Sequence, residues 1–353
     1  MKSIFSFLLI LSAITPLSAQ QENAEKNLQI IEGNVQHERR ARREIWDEAQ
    51  HLVLKRDFSE LERISTLYRN EKSLTPSGDW KLRHFYNALA STKTSFDESE
   101  LEGARRRERV AREWLEKIPT SPTASVLIAS ELLAQGWTQR GYGPGSSVSD
   151  KQARIFRAFV RDAKAQLVAS ASYAKVDPEW HHMMIETMML EGGPVDEYFG
   201  ALHQALNLAP TYIPLAASAV RRFQPKWGGS IDDLDAIINS IASRNNVEDG
   251  KIMYTRMYIA VSRELTSPAM TNIFRDSKAD WSKVKEGFEA LLARHPTLWN
   301  KNLFAEFACD AGDGETFERL IKENILEERL WAYNSRLRVC LNWAGPGAGP
   351  SND

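Results

Sequence analysis

The sequence lacks nearly every feature that would place a chain by a single signature. It has only 2 cysteines in 353 residues, Cys309 and Cys340, too few for a disulfide framework and without the flanking histidine pair of a zinc motif. An excess of one charge is missing too, since 45 Lys and Arg stand against 47 Asp and Glu for a net of −2. No global field therefore draws the chain to nucleic acid or to an anionic membrane surface. Beyond the first residues, no apolar run approaches the roughly 18 residues of a membrane-spanning helix. Strand-like alternation is scarce. There is no serine nucleophile elbow, zincin pair or dinucleotide-binding fingerprint. These absences exclude enzymes recognisable by motif, but not a hydrolase using two carboxylates, which has no sequence signature. No cofactor is implied.

The N-terminus is distinctive. In "MKSIFSFLLILSAITPLSAQ", Lys2 precedes an apolar run from Ile4 to Ile14, and Pro16 breaks that run before small residues. That is the layout of a secretory signal peptide, with cleavage expected after Ala19. The expected organisation is a leader over 1–19, a single all-helical domain over 20–343 and a disordered tail over 344–353. The mature chain is expected to be periplasmic or secreted and not membrane-spanning. In an oxidising compartment Cys309 and Cys340 either pair, closing a loop worth about 3–4 kcal/mol, or remain two buried thiols.

Almost every long segment carries helical spacing. Phe58, Leu61, Ile64 and Leu67 recur every three residues, and Ile155, Phe156, Phe159, Val160, Ala163 and Leu167 form one broad apolar face. Helix starts are marked by Ser99 with Glu102 and by Ser149 with Gln152, both capping-box pairs. Ser121–Pro122 and Asp177–Pro178 each place a capping side chain before a proline at the first helical position. Gly192, Gly193 and Pro194 end the helix that Asp177 opens. A unit of helix, proline turn and helix recurs in "WLEKIPTSPTASVLIASELL", "ASYAKVDPEWHHMMIETMM", "ALNLAPTYIPLAASAV" and "LLARHPTLWNKNLFAEFA". Pro178 and Pro210 lie 32 residues apart, near the tetratricopeptide period of about 34, while the other intervals are irregular. The spacing predicts an all-α, irregular helical-hairpin array, tetratricopeptide-like, stacked into a curved solenoid with a concave side.

The segments "GDWKLRHFYNAL", "WTQRGYGPGSSVSDKQARIFRAF", "DPEWHHMM", "PTYIPLAASAVRRFQPKWGGS" and "DWSKVKEGFEALLARHPTLWNKNLFAEFACDAGD" occur in that order. Together they resemble an uncharacterised bacterial family known as domain of unknown function 4034, over about residues 50–325. The loop "RGYGPGSSV" departs from the family pattern, which reads closer to RG-x-GYA. The resemblance implies a helical, repeat-like fold and no established activity.

Several constellations could carry chemistry. In "DPEWHHMMIETMMLEGG", His182 and Glu186 share the polar side of a helix four residues apart, as an acid–base pair would. His181, Met184 and Met188 share its other side, where imidazole and thioether together would suit a soft metal, but methionines on an apolar helical face more often fill a core, so no metal is expected. The glycine-rich "QRGYGPGSSVS" precedes a helix, but Ser146 and Ser147 stand where a Walker lysine would be. The runs "ERRARRE" and "ARRRERVARE" interleave arginine with glutamate, so they read as ion-paired helix faces and no nucleic-acid partner is expected. In "RRFQPKWGGSIDDL", Arg221 and Arg222 close one helix and Ser230 caps the next, while Asp232 and Asp233 occupy the helix end an anion would need. Trp80, Tyr86, Trp137, Tyr142, Trp180, Tyr212 and Trp227 fall near helix ends, and with Arg140 they form a candidate surface for a protein or peptide of the cell envelope, or for a glycan. The alternative for each aromatic is to lock one helix pair onto the next. The expected function is an exported binding scaffold presenting a concave face to a protein or peptide partner. An envelope-acting glycan or peptide hydrolase using His182 and Glu186, or acid–base groups near them, is the alternative.

Overall fold

A computed structural model of the chain describes residues 19–93, 97–264, 272–323 and 334–343. Of the expected leader over 1–19, residues 1–18 lie outside the described residues, as does the tail over 344–353. Every regular element described is helical. In order these are α1 (Ala19–Lys55), α2 (Phe58–Asn70), α3 (Lys81–Leu89), α4 (Glu100–Lys117), α5 (Pro122–Arg140), α6 (Asp150–Ala169), α7 (Ala171–Ala174), α8 (Pro178–Glu191) and α9 (Val195–Leu208). They continue as α10 (Ile213–Arg222), α11 (Ile231–Ser243), α12 (Val247–Glu264), α13 (Ile273–Asp276), α14 (Trp281–Arg294), α15 (Leu298–Asp310), α16 (Gly314–Glu323) and α17 (Asn334–Trp343). No described helix is long and apolar enough to cross a membrane.

The helix starts follow the capping chemistry. Ser99 and Ser149 form reciprocal capping boxes with Glu102 and Gln152, and Ser230 does the same with Asp233. Each such cap contributes about 1 kcal/mol by satisfying amide donors that the first turn leaves unpaired. Gly192 closes α8 in the left-handed region at φ 71°, where a side chain is disfavoured.

Helix α2 corrects one expectation. Its strict three-residue stripe places Leu67 in the core, yet Leu67 is exposed while Ser65 and Arg69 are buried. At about 100° per residue a three-residue step drifts by about 60°, so three steps carry Leu67 to the face opposite Phe58. Arg69 comes round to the buried side instead.

Neighbouring helices pack in sequence, α4 on α5, α5 on α6 and α11 on α12, while α10 packs on both α8 and α12 across the intervening helices. Helix α1 packs on α3 and also on α15, joining the two ends of the described chain. The buried apolar side chains form two clusters. One runs from Ile45 to Met183, the other takes Trp80 and then residues from Ile185 to Cys340. Helix α8 feeds both, giving Trp180 and Met183 to the first and Ile185 and Met189 to the second. Cys309 and Cys340 are joined as a disulfide, 31 residues apart in sequence, which ties α17 to α15.

Candidate functional site

The tight turn Thr75–Pro76–Ser77–Gly78 is the element from which the site is built. Gly78 N–H donates to the Thr75 carbonyl at 2.9 Å, and proline at the second position with glycine at the fourth favours this turn. Four elements then grip it. From α1, Glu38 accepts the Ser77 amide at 2.7 Å and its hydroxyl at 2.8 Å. From α12, Arg256 Nη2 donates to the carbonyls of Ser77 and Gly78 at 3.1 and 2.9 Å. Asn300 of α15 donates to the Ser77 carbonyl at 3.2 Å, and His295 Nδ1 donates to that of Pro76 at 3.2 Å. Gly78 has φ 82°, and a Cβ there would stand 2.6 Å from His295 Cδ2. The turn closes the early helices against the late ones.

Between these elements lies a cleft of about 960 Å³. Each helix around it contributes one stripe at helical spacing. Arg83, His84 and Asn87 come from α3, Glu179 and His182 from α8, and Ile213, Ala217 and Arg221 from α10. Arg256, Ile259, Ala260 and Arg263 come from α12, Trp299 and Leu303 from α15, and Arg42 from α1. The Arg42 guanidinium lies 4.1 Å from the centre of the Trp299 ring, a cation–π contact across that end of the cleft. A shallower depression between α12 and α14 is lined by Glu248, Lys251 and Glu286. Lys251 is already paired with both glutamates there, at 3.6 and 3.4 Å.

Ionisable groups line the α3–α8 wall. His182 Nδ1 lies 2.8 Å from Glu179 Oε1, whereas its Nε2 is 3.9 Å from Glu186. The pair expected from the four-residue spacing is therefore replaced by a pair at three residues. Glu186 is engaged elsewhere, accepting from Ser218 and from Arg221 Nη1 at 3.1 Å. Burial disfavours the His182 imidazolium, but the Glu179 charge and hydrogen bond outweigh that and raise its pKa above the usual value. Glu179 is buried too, which alone would raise it, yet His182 and the Tyr212 hydroxyl hold it below the ordinary carboxylate range. The two thus form an ion pair. A histidine held protonated in this way is poorly placed to act as a general base near neutral pH. Asp79 is likewise buried and still held low, by His84 and Arg83. His84 Nε2 approaches it at 3.2 Å, but no well-aligned hydrogen bond forms.

The aromatic surface expected from the sequence is largely interior. Trp80, Tyr86, Trp180 and Tyr212 are buried and present no surface to a partner. Their polar atoms face inward as well. Trp80 packs edge-on against Tyr212 and donates to Thr211, Tyr86 donates to Asp177, and Trp180 donates to the Leu167 carbonyl. These rings lock helix pairs together. Trp227 is partly buried against the second cluster. Of the set, Tyr142 is the exposed ring, at 71%. It stacks on Trp137, over which the Arg140 guanidinium also lies. Arg140 closes the glycine-rich loop by donating to the carbonyls of Gly141 and Gly143 at 2.9 and 3.1 Å.

His181 donates to the Lys175 carbonyl at 2.9 Å and packs edge-on against Trp180. Met184 packs on the first cluster and Met188 on the second, so their sulfurs serve two different cores rather than one ligand set. Among the described residues no three His, Cys, Asp or Glu side chains gather as for a metal. The arginine runs are engaged with acids. Arg42 pairs with Glu38, Arg107 with Glu131 and Arg112 with Glu108. At the 221–234 corner, Arg222 bonds the Trp227 carbonyl beyond the helix end, while Arg221 turns into the cleft.

Sequence reasoning missed Glu179, Arg83, Arg256 and Arg263. The signal for the last two was their seven-residue spacing, which puts Arg256 and Arg263 on one face of α12 beside the apolar residues of its middle turns. Comparison with protein-family models, with curated proteins and with solved structures returned no match to this chain.

Proposed function

We propose that the chain is an exported binding scaffold of the bacterial cell envelope, whose helical hairpins stack as a curved, tetratricopeptide-like array and present the cleft to a protein or peptide partner. The observation that carries this reading is the cleft itself. Its volume of about 960 Å³ lies at the upper end of small-ligand sites, and its walls mix apolar and charged stripes from several helices, as extended helical-repeat surfaces do. The family resemblance to domain of unknown function 4034 fits the same reading, and Tyr142 stacked on Trp137 offers a separate ring face to a glycan. On this reading the N-terminal segment with the layout of a leader, cleaved after Ala19, exports the mature chain.

The experiment is capture from the native envelope with the full chain and with an Ala217→Trp, Ala260→Trp variant whose cleft is filled. A partner retained by the native chain and lost by the filled variant is the expected result. An identical set on both would place binding elsewhere. A second reading, an envelope glycan or peptide hydrolase, is favoured only by the Glu179–His182 pair in the cleft wall. Hydrolysis of envelope fragments that is lost in Glu179→Gln would support it, and no hydrolysis by the native chain would remove it.

A further inference from the structure

The cations of the cleft are arranged for an acidic occupant. Arg42, Arg83, Arg221 and Arg263 pair with Glu38, Asp79, Glu186 and Glu306. In each pair the guanidinium is the outward member: the arginine side chains are 28, 37, 33 and 32% exposed, the carboxylates 0, 7, 11 and 4%. An incoming group therefore meets N–H donors first, with the acids behind them. The other acid on the wall, Glu179, is already bonded by His182 and Tyr212.

Arg256 differs from the other four. Its Nη2 donates to the turn carbonyls, and among the described residues it has no ion-pair partner. Burial first, and then the like charges of Arg83 and Arg42, hold its pKa below the usual arginine value. Asp79 and Glu38 act on it favourably from nearby, but their oxygens are bonded to Arg83, Arg42 and Ser77. Four of the five guanidinium groups already have an acid behind them, so the position left to fill is beside Arg256, where an incoming carboxylate would supply the missing counter-charge and accept N–H bonds from the outward arginines.

The apolar residues decide what carries the carboxylate. On α12, Ile259 and Ala260 lie one helical turn from Arg256 and one from Arg263, so cation, apolar and cation follow at about 5–6 Å per step. A small anion would have no use for the apolar steps. An extended peptide, whose side chains point alternately to opposite sides and repeat about every 6–7 Å, can match both.

Resting on the binding reading above, we propose that the cleft takes an acidic, extended peptide segment. Its Asp or Glu carboxylates engage Arg256, Arg83 and Arg263, and its apolar side chains lie on Ile259 and Leu303.

The test is selection of short random peptides, displayed on phage, against the immobilised full chain. The recovered pool is expected to be enriched in Asp and Glu over the input. A labelled member of it is expected to lose affinity by about tenfold or more with Arg256→Met and with Arg83→Met, a change of about 1.4 kcal/mol or more. Arg63→Met, at an exposed arginine paired with Glu60, is expected to leave binding unchanged. Circular dichroism melts establish that each variant is folded, and if Arg256→Met is not, Arg83→Met decides. Peptides recovered without acidic enrichment, or bound equally by both cleft variants, overturn the acidic-segment proposal while leaving peptide binding in place. Recovery of no peptide at all overturns both.

Discussion

Replacing Asp177 by asparagine should destabilise the chain by about 3–4 kcal/mol, because it strands the buried Arg69 cation. Asp177 is fully buried at the start of α8, and its Oδ2 accepts from Arg69 Nε at 2.7 Å and from the Tyr86 hydroxyl at 2.8 Å. Its Oδ1 caps α8 through the Glu179 amide at 2.8 Å. One carboxylate thereby joins α2, α3 and α8, and Arg69 continues the network to Thr123 of α5 at 3.2 Å. The Arg69 side chain is only 7% exposed, so without its counter-charge it cannot turn to water. Breaking such a pair costs about 3–5 kcal/mol. Asparagine remains a good N-cap and still accepts hydrogen bonds, which puts Asp177→Asn toward the lower end. Asp177→Ala also loses the cap, about 1 kcal/mol, and leaves the Tyr86 hydroxyl unmatched. The double variant Arg69→Met, Asp177→Asn removes the stranded charge, so it should be more stable than the two single losses summed, with a coupling energy above about 1 kcal/mol. Urea unfolding followed by far-UV circular dichroism measures this, with the midpoint moving at constant slope. Against a total stability of about 5–15 kcal/mol the effect is large. An Asp177→Asn chain within about 1 kcal/mol of native, or strictly additive single variants, would refute the reasoning, since Arg69 would then have another way to satisfy its charge.

Two further outcomes follow from the same structure. The His182 ring should titrate above the ordinary histidine value in NMR spectra and fall below it in Glu179→Gln, where burial is opposed only by the more distant Glu186. For the native pair the sign is fixed. A raised histidine stabilises the fold below its unfolded pKa of about 6.5 and loses that as pH rises through the folded value, while a lowered glutamate stabilises above about 4.5 and loses that as pH falls. The contribution of the pair is therefore greatest between about pH 4.5 and 6.5, and the pH profile of unfolding should lose this maximum in Glu179→Gln. Reduction of the disulfide, or a Cys309→Ser, Cys340→Ser variant, should lower stability by about 3–4 kcal/mol for a loop of 31 residues. Chemical denaturation with and without reductant measures it, and coincident curves would mean that α17 holds to α15 without the bond.

The local structure of this protein was legible in its sequence. Serine or aspartate ahead of an acid, glutamine or proline located the starts of α4, α5, α6, α8 and α11, and Gly192 located the end of α8. These signals act within one turn of the chain, through hydrogen bonds between residues two to four apart. The all-helical class follows from the same period. The candidate cysteines were legible as a pair, and their joining awaited the packing of α17 on α15. What a ring or charge faces was not legible. Trp80, Tyr86, Trp180 and Tyr212 stand at helix ends, where an aromatic serves equally as a lid on a hairpin or as a docking surface, and the tertiary structure turned all four inward. Helical periodicity says that α12 has a stripe carrying Arg256 and Arg263, but not what the stripe meets. That was decided by contacts such as Arg256 to Ser77, 179 residues away in the chain, and His295 to Pro76, 219 residues away. A helix leaves its polar stripe open to several packings of similar local energy, and only the joint packing of α1, α3, α8, α10, α12 and α15 around one tight turn brings those stripes to a common cleft.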